Sequence, residues 1–336
     1  MTEFFFLVMV FAIAFVLTAL LRSYALKRNV LDIPNARSSH QVPTPRGGGV
    51  AIVLSVLAAL PVAVSYFGMD GLWALKIAIA TLIIAAVGFA DDHQHIAARW
   101  RLVWHFSAAA LVVWAVGGLP PLQYFGTAAD LGWLGHFAAV VAVVWMINLT
   151  NFMDGIDGLA ASQTIFVCVG LALLSSLVQP TADLWLALLV LCASAGFLCW
   201  NFPPARIFMG DAGSGFLGLI LAAIMLHATQ AAPQLFWSGV ILYGYFIVDA
   251  TYTLIRRLLN GKKLYEAHRS HAYQIASRRW SSHKKVTLSV QLLNLCWLLP
   301  LAALVAYRQL DGLVAVLLAY VPLGVIVSKF DAGSEV

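Results

Sequence analysis

Apolar runs of about 20 residues, the length that crosses a bilayer, recur along almost the whole chain. Eleven can be counted, at roughly 3–22, 47–67, 72–90, 100–117, 131–150, 158–178, 182–200, 213–230, 235–256, 287–307 and 311–328. No soluble core contains so many. Charged residues make up only 10% of the 336 residues, against about 25% in a soluble domain. The expected fold is therefore all-α: one polytopic membrane domain over 1–336 with about eleven spans. The first run follows Glu3 and is too long for a cleaved leader. Cys168, Cys192, Cys199 and Cys296 all lie inside apolar runs and read as packing residues.

The segments between the runs alternate in charge. All but Lys76 and Arg308 of the 20 Lys and Arg fall on one side. Those segments lie near 22–46, 91–101, 151–157, 201–212, 256–286 and 329–336. Positive charge marks the cytoplasmic side, which places the N-terminus in the periplasm and the C-terminus in the cytoplasm. Asp32, Asp91, Asp92, Asp154, Asp157, Asp211 and Glu266 face the same side, while Asp249 lies within the ninth run. Acids and bases gathered at one membrane edge suit an anionic substrate bridged by a divalent cation.

Four motifs carry that chemistry. Asp91-Asp92 closes the third run, and on a helix the two point about 100° apart, so each can serve a different ligand. The nearby His93 and His95 lack the third ligand that a zinc site needs. Asp154-Gly155-Ile156-Asp157-Gly158 follows Asn148 and Asn151. Two acids three residues apart share a face if the segment is helical, and oxygen ligands there suggest Mg²⁺ or Mn²⁺. Asp211 opens the eighth run among glycines and Ser214, where free backbone N–H groups could take a phosphate. Asp211 reads either as a cap or as a metal ligand. In the long basic loop, His268-Arg269-Ser270-His271 looks like a diphosphate clamp. Its flanking lysines and arginines are explained by anionic lipid alone. A loop tethered to a bilayer at both ends is not a nucleic-acid site. His40 and Arg46, in a first loop rich in proline and glycine, belong to the same face.

Taken in order, Pro-Thr-Pro-Arg-Gly-Gly-Gly at 43–49, Asp91-Asp92, the Asn151 to Gly158 stretch, Phe-Met-Gly-Asp-Ala-Gly-Ser at 208–214 and the histidine loop resemble the polyprenyl-phosphate N-acetylhexosamine-1-phosphate transferases. The resemblance covers about 37–274. It implies that undecaprenyl phosphate attacks the β-phosphorus of a UDP-N-acetylhexosamine at the bacterial inner membrane, and that UMP leaves. It assigns catalytic roles to Asp91, Asp92, Asp154, Asp157 and His271. Metal ligation falls to Asp211 with Asp154 and Asp157, and substrate contacts to Asn151, Arg46, Arg206, His268 and Arg269. Direct transfer and an aspartyl-phosphate route both stay open. His271 matches the family's first loop histidine, but Tyr273 stands where a second is usual. That form resembles the O-antigen branch; the alternative is the phospho-N-acetylmuramoyl-pentapeptide transferase branch. Aromatic prenyltransferases, which carry paired Asp-rich motifs, and cation-coupled transporters are the competing classes. The sugar and the oligomeric state, a homodimer among the options, stay open.

Overall fold

The computed structural model describes residues 1–34, 42–94, 96–178, 184–262 and 268–334. His40, His95, Glu266 and the first part of the loop before Arg46 lie outside the described residues.

The chain is almost entirely helical, as expected of an apolar chain that must satisfy its own backbone in lipid. Its helices are α1 (Thr2–Arg28), α2 (Val50–Phe67), α3 (Gly71–His93), α4 (Ala98–Val116), α5 (Gly132–Phe152), α6 (Leu159–Val178) and α7 (Leu184–Asn201). They continue as α8 (Asp211–Ala231), α9 (Leu235–Leu242), α10 (Gly244–Leu259), α11 (Ala272–Trp280), α12 (His283–Leu293), α13 (Leu299–Ala306) and α14 (Gly312–Lys329). A π-helical turn, Asn294–Leu298, joins α12 to α13 within one span.

Among the described residues, nine helices are long and apolar enough to cross a membrane, and a bent pair makes up to ten. The all-helical expectation needs two small corrections. Residues Leu31–Asp32 (β1) pair with Thr44–Pro45 (β2), and Leu122–Tyr124 (β3) with Thr127–Ala129 (β4), both antiparallel. These ribbons let the loops satisfy their own backbone groups. The fourth expected span forms as α4, but it carries Arg99, Arg101 and His105 and is not among the helices that pass on length and composition.

The ninth expected span is broken. Helices α9 and α10 meet at 65° around Tyr243. Backbone groups freed inside a membrane need partners, and here they have them. Gln163 Nε2 donates to the Leu242 carbonyl (3.0 Å), and Asn294 Nδ2 donates to Gln163 Oε1 (2.6 Å). The Tyr243 hydroxyl sits 2.6 Å from Thr150 Oγ1 on α5.

Helix α8 is buried along nearly its whole length and packs against α3 and α5. Small residues let helix backbones approach closely where lipid gives no hydrophobic drive. Gly88 on α3 shows how close: a Cβ there would lie 2.5 Å from the backbone carbonyl of Asp211. That contact sets the end of α3, with its two aspartates, against the first turn of α8.

Candidate active site

Five of the expected residues converge where α3 meets α8. Asp92 accepts from the backbone N–H groups of Asp211 (3.0 Å) and Ala212 (3.3 Å). It thereby caps the positive end of α8 from another helix, a placement that favours negative charge. The phosphate seat expected among those amides is thus already taken. The amides of Gly213 and Ser214 turn back to the Gly210 carbonyl, so the first turn of α8 keeps little donor capacity for a ligand.

Arg46 bridges two of the acids, with Nη2 at 2.9 Å from Asp92 and 2.7 Å from Asp211. Burial works against its charge, but Asp211, Asp92 and Asp32 outweigh burial and the net shift of its pKa is upward. Asp91 points elsewhere, as adjacent helical positions must. It accepts from the Ile96 N–H (2.7 Å) and pairs with Arg101 on α4 at 2.5 Å. Arg101 also reaches within 3.9 Å of Asp211. Sequence reasoning missed Arg101, whose only signal was a base in the same inner segment as Asp91. Asp211 is the hub: it also accepts from Asn151 Nδ2 at 3.1 Å, and that amide reaches Ser214 Oγ at 3.0 Å. Asn148 does not join this group; its amide donates to the Val144 carbonyl and faces His105.

Asp154 stands in the turn after α5. Burial, and next the Asp211 carboxylate, push its carboxyl well above the usual carboxylate range. Arg46 pulls the other way, while Asp92 and Asp157 add to the crowding. Arg46 offsets only part of this, so the site favours the neutral acid.

The segment that carries Asp154 and Asp157 is a non-helical turn, so the shared helix face conditional on a helix there does not arise. Asp157 is occupied by structure. It lies 3.0 Å from His283 Nδ1 on α12, and its other oxygen accepts from the Ala205 N–H at 3.0 Å. Its carbonyl accepts from Thr287 Oγ1 at 2.9 Å. Asp157 ties the turn to two neighbouring elements.

The histidine loop approaches from the other side of that turn. Tyr273 donates its hydroxyl to the Phe152 carbonyl at 2.7 Å and accepts from the Gly155 N–H. Gly155 is required here, since a Cβ would collide with that hydroxyl. His271 is 2% exposed, and its ring lies 6.3 Å from Phe152. His271 Nδ1 is 3.4 Å from Asp249, which is fully buried and caps α11 through the N–H groups of Ala272 (2.9 Å) and Tyr273 (3.0 Å). Asp249 is a positioning residue; its sequence signal was an acid within an apolar run. The His268 ring lies tilted against that of His271, with centroids 4.9 Å apart. Arg269 contributes its carbonyl to Arg278 (2.9 Å), and no ion pair between its side chain and the acids is seen among the described residues. Arg206 lies over the Trp200 ring, 5.7 Å from its centroid, and no ion pair between it and the acids is seen among the described residues.

Among the described residues, no three His, Cys, Asp or Glu side chains form a metal-holding group. Arg46 and Arg101 pair with these acids, Arg46 with Asp92 and Asp211 and Arg101 with Asp91.

The sequence profile of glycosyl transferase family 4 matches residues 74–229. The chain is 29% identical over 285 residues to a Bacillus subtilis protein named "Probable undecaprenyl-phosphate N-acetylglucosaminyl 1-phosphate transferase", covering 83% of this chain and 78% of that one. An undecaprenyl-phosphate alpha-N-acetylglucosaminyl 1-phosphate transferase of Thermotoga maritima is 28% identical over 290 residues, covering 83% of each. A phospho-N-acetylmuramoyl-pentapeptide-transferase of Desulforudis audaxviator is 30% identical over 262 residues, covering 68% of this chain and 75% of that one. These likenesses run through the α3, α5 and α8 segments that build the acid cluster, and the chain belongs to glycosyl transferase family 4, among its polyprenyl-phosphate N-acetylhexosamine-1-phosphate transferases.

Proposed function

We propose that this chain transfers an N-acetylhexosamine 1-phosphate from a UDP-sugar to undecaprenyl phosphate, starting a lipid-linked cell-surface glycan of the O-antigen kind. The carrying observation is the junction of Asp91, Asp92 and Asp211 with Arg46 and Arg101, beside the undercompensated Asp154. The reading includes a bacterial inner-membrane protein with eleven spans, α4 counted among them and the bent α9–α10 pair as one. Its N-terminus is periplasmic and the site cytoplasmic, as the one-sided Lys and Arg distribution supports.

A phosphate oxygen of the lipid forms a bond to the β-phosphorus, and the bond from that phosphorus to the bridging oxygen breaks. UMP leaves with the electron pair. The nucleophile is already an anion, so catalysis lies in bringing anions together and stabilising the leaving phosphate. Arg46 and Arg101 can exchange their carboxylate partners for phosphoryl oxygens, since a guanidinium fork fits either. Asp92 holds α8 and therefore Asp211 in register.

Mg²⁺ fits the residues present. The donors are all hard oxygens, and such an ion usually takes one or two carboxylates with waters and substrate phosphates for the rest. Asp211 and Asp154 would hold it, and it would neutralise charge on the diphosphate and the leaving group. Asp157 would join them only by giving up His283 or the Ala205 amide, as Asp211 would give up Arg46.

The test is UMP release by purified protein with undecaprenyl phosphate, Mg²⁺ and a panel of UDP-sugars, UDP-N-acetylmuramoyl-pentapeptide included. Turnover with a UDP-N-acetylhexosamine, lost on chelation and in Asp211→Asn, is expected. A folded protein that releases no UMP from any of them refutes the reading.

A further inference from the structure

The segment after α14 closes back onto the loop that opens α11. Helix α14 stops in a tight reversal. The Asp331 N–H donates to the Ser328 carbonyl (2.9 Å) and the Ala332 N–H to the Val327 carbonyl (3.3 Å). These are the paired bonds that end a helix when the next residue turns left-handed. Asp331 takes that conformation, with φ 56°, which a short polar side chain tolerates. The reversal sends Ala332 and Gly333 across the last turns of α10, and Ala332 is fully buried.

Three places receive the segment. Arg256 on α10 donates from Nη1 to the Ala332 carbonyl (3.0 Å) and lies 3.9 Å from Asp331. Arg279 on α11 lies 3.8 Å from the other Asp331 oxygen and over the Phe330 ring, which meets Trp280 edge to face with centroids 5.8 Å apart. In the loop before α11, the Ser270 carbonyl accepts from the Gly333 N–H at 2.8 Å. Gly333 has φ +83°, and a Cβ there would stand 2.9 Å from Arg256 Cβ and 3.0 Å from the Thr253 carbonyl oxygen. So close an approach in that conformation needs glycine.

The bond to Ser270 has the longest reach. A peptide unit is planar, so the Ser270 carbonyl and the His271 N–H belong to one rigid plate. Gly333 holds its carbonyl side, and on the other side the His271 N–H donates to Gln274 Oε1 at 3.2 Å. The plate cannot rotate without breaking one of these bonds. It fixes the entry of the chain into α11, whose next two amides Asp249 holds. Tyr273, in the first turn of α11, grips the Phe152 carbonyl and the Gly155 N–H, and so the turn that carries Asp154. The ion pairs of Asp331 weigh less, because its side chain is 58% exposed.

We propose that segment 330–333 is a clasp and that Gly333 is a positioning residue. Through the Ser270–His271 peptide it sets the start of α11, and through Tyr273 it sets the place of Asp154. The inference rests on the proposed transfer reaction for its rate readout alone. A segment that only packs would stabilise the fold without acting on turnover.

The experiment uses full-length protein in detergent with Gly333→Ala and Arg256→Met. Gly333→Ala drives the clasp off Ser270. Arg256→Met adds no clash and removes the hold on the Ala332 carbonyl, so it serves even where Gly333→Ala fails to fold. UMP release gives kcat and KM, and amide hydrogen exchange is followed in the histidine loop, in α11 and in the remote α8. In Gly333→Ala, kcat falls about tenfold, the size of roughly one hydrogen bond, and KM stays within about twofold. Arg256→Met gives the same pattern at about threefold. Exchange rises in the histidine loop and α11 and keeps its wild-type level in α8. Wild-type kcat in the folded variants overturns the proposal, as does unchanged exchange in α11. A loss of kcat with exchange raised equally in α8 and α11 also overturns it, since that is general loosening. A wild-type protein that releases no UMP refutes the transfer reading, while the exchange arm still decides whether the clasp holds α11.

Discussion

Replacing Gly88 by alanine tests the geometry at its tightest point. The new Cβ would stand 2.5 Å from the Asp211 carbonyl carbon and oxygen and 2.6 Å from the Ala212 nitrogen. Non-bonded heavy atoms settle near 3.5–4.0 Å, roughly. The obstructing atoms are backbone and cannot rotate away, so α3 and α8 must separate by about 1 Å. The amide bonds to Asp92, at 3.0 and 3.3 Å, would then pass out of range. Overpacking alone costs about 1–3 kcal/mol, and each weakened hydrogen bond to a charged group up to about 1.5–3 kcal/mol. Asp211 moves with the first turn of α8, and a misplacement of about 1 Å can cost about a hundredfold in rate. Gly88→Ala should therefore lower UMP release about a hundredfold and lower the thermal midpoint. Gly324→Ala is the control, because a Cβ there meets nothing within 4 Å; it should leave turnover unchanged and hold or slightly raise the midpoint. Wild-type turnover and midpoint in Gly88→Ala would refute the account of the α3–α8 contact.

Two further outcomes follow from the turn after α5. Asp154 has its pKa raised by burial and by Asp211, so its stabilising contribution is present when it is protonated and is lost as pH rises through the folded value. In chelator without substrate, Asp154→Asn should raise the midpoint at about pH 8 by about 2–4 °C, the shift that roughly 1 kcal/mol produces in a larger domain. The gain should shrink towards about pH 5; a gain that grew on acidification would reverse the assigned sign. Tyr273→Phe removes the donor to the Phe152 carbonyl and the acceptor for the Gly155 amide, leaving two backbone groups without this partner at a cost of about 1–3 kcal/mol each. Turnover should fall about tenfold with little change in KM, since such a loss in the transition state alone acts on kcat. An unchanged kcat would show that the turn does not depend on this hydroxyl.

Much of this arrangement was legible in the chain itself. Span-length apolar runs and one-sided charge announced a helical membrane protein, and the acids that matter were read as neighbours because they share an edge. Relations between elements were less legible. The Asp154-x-x-Asp157 spacing suggested one shared face, but the glycines leave the segment non-helical, and His283 claims Asp157 from a position 126 residues later. The break at Tyr243 carried no proline; it depends on Thr150 and Gln163 from other helices. Arg206, read as a substrate contact, lies over the Trp200 ring, a neighbour six residues back that its spacing did not announce. Arg101 and Asp249 emerge only when the helices are assembled, because their partners are set by packing.

The reuse of one device at two places, a carboxylate from one helix closing the end of another, constrains how such a chain can drift. Asp92 fastens α8, and Asp249 fastens α11. At either position a neutral substitute would alter chemistry and architecture in a single step, leaving no silent route between sequences. Divergence towards a different sugar must then proceed through the surrounding loops, while the two fasteners stay as they are.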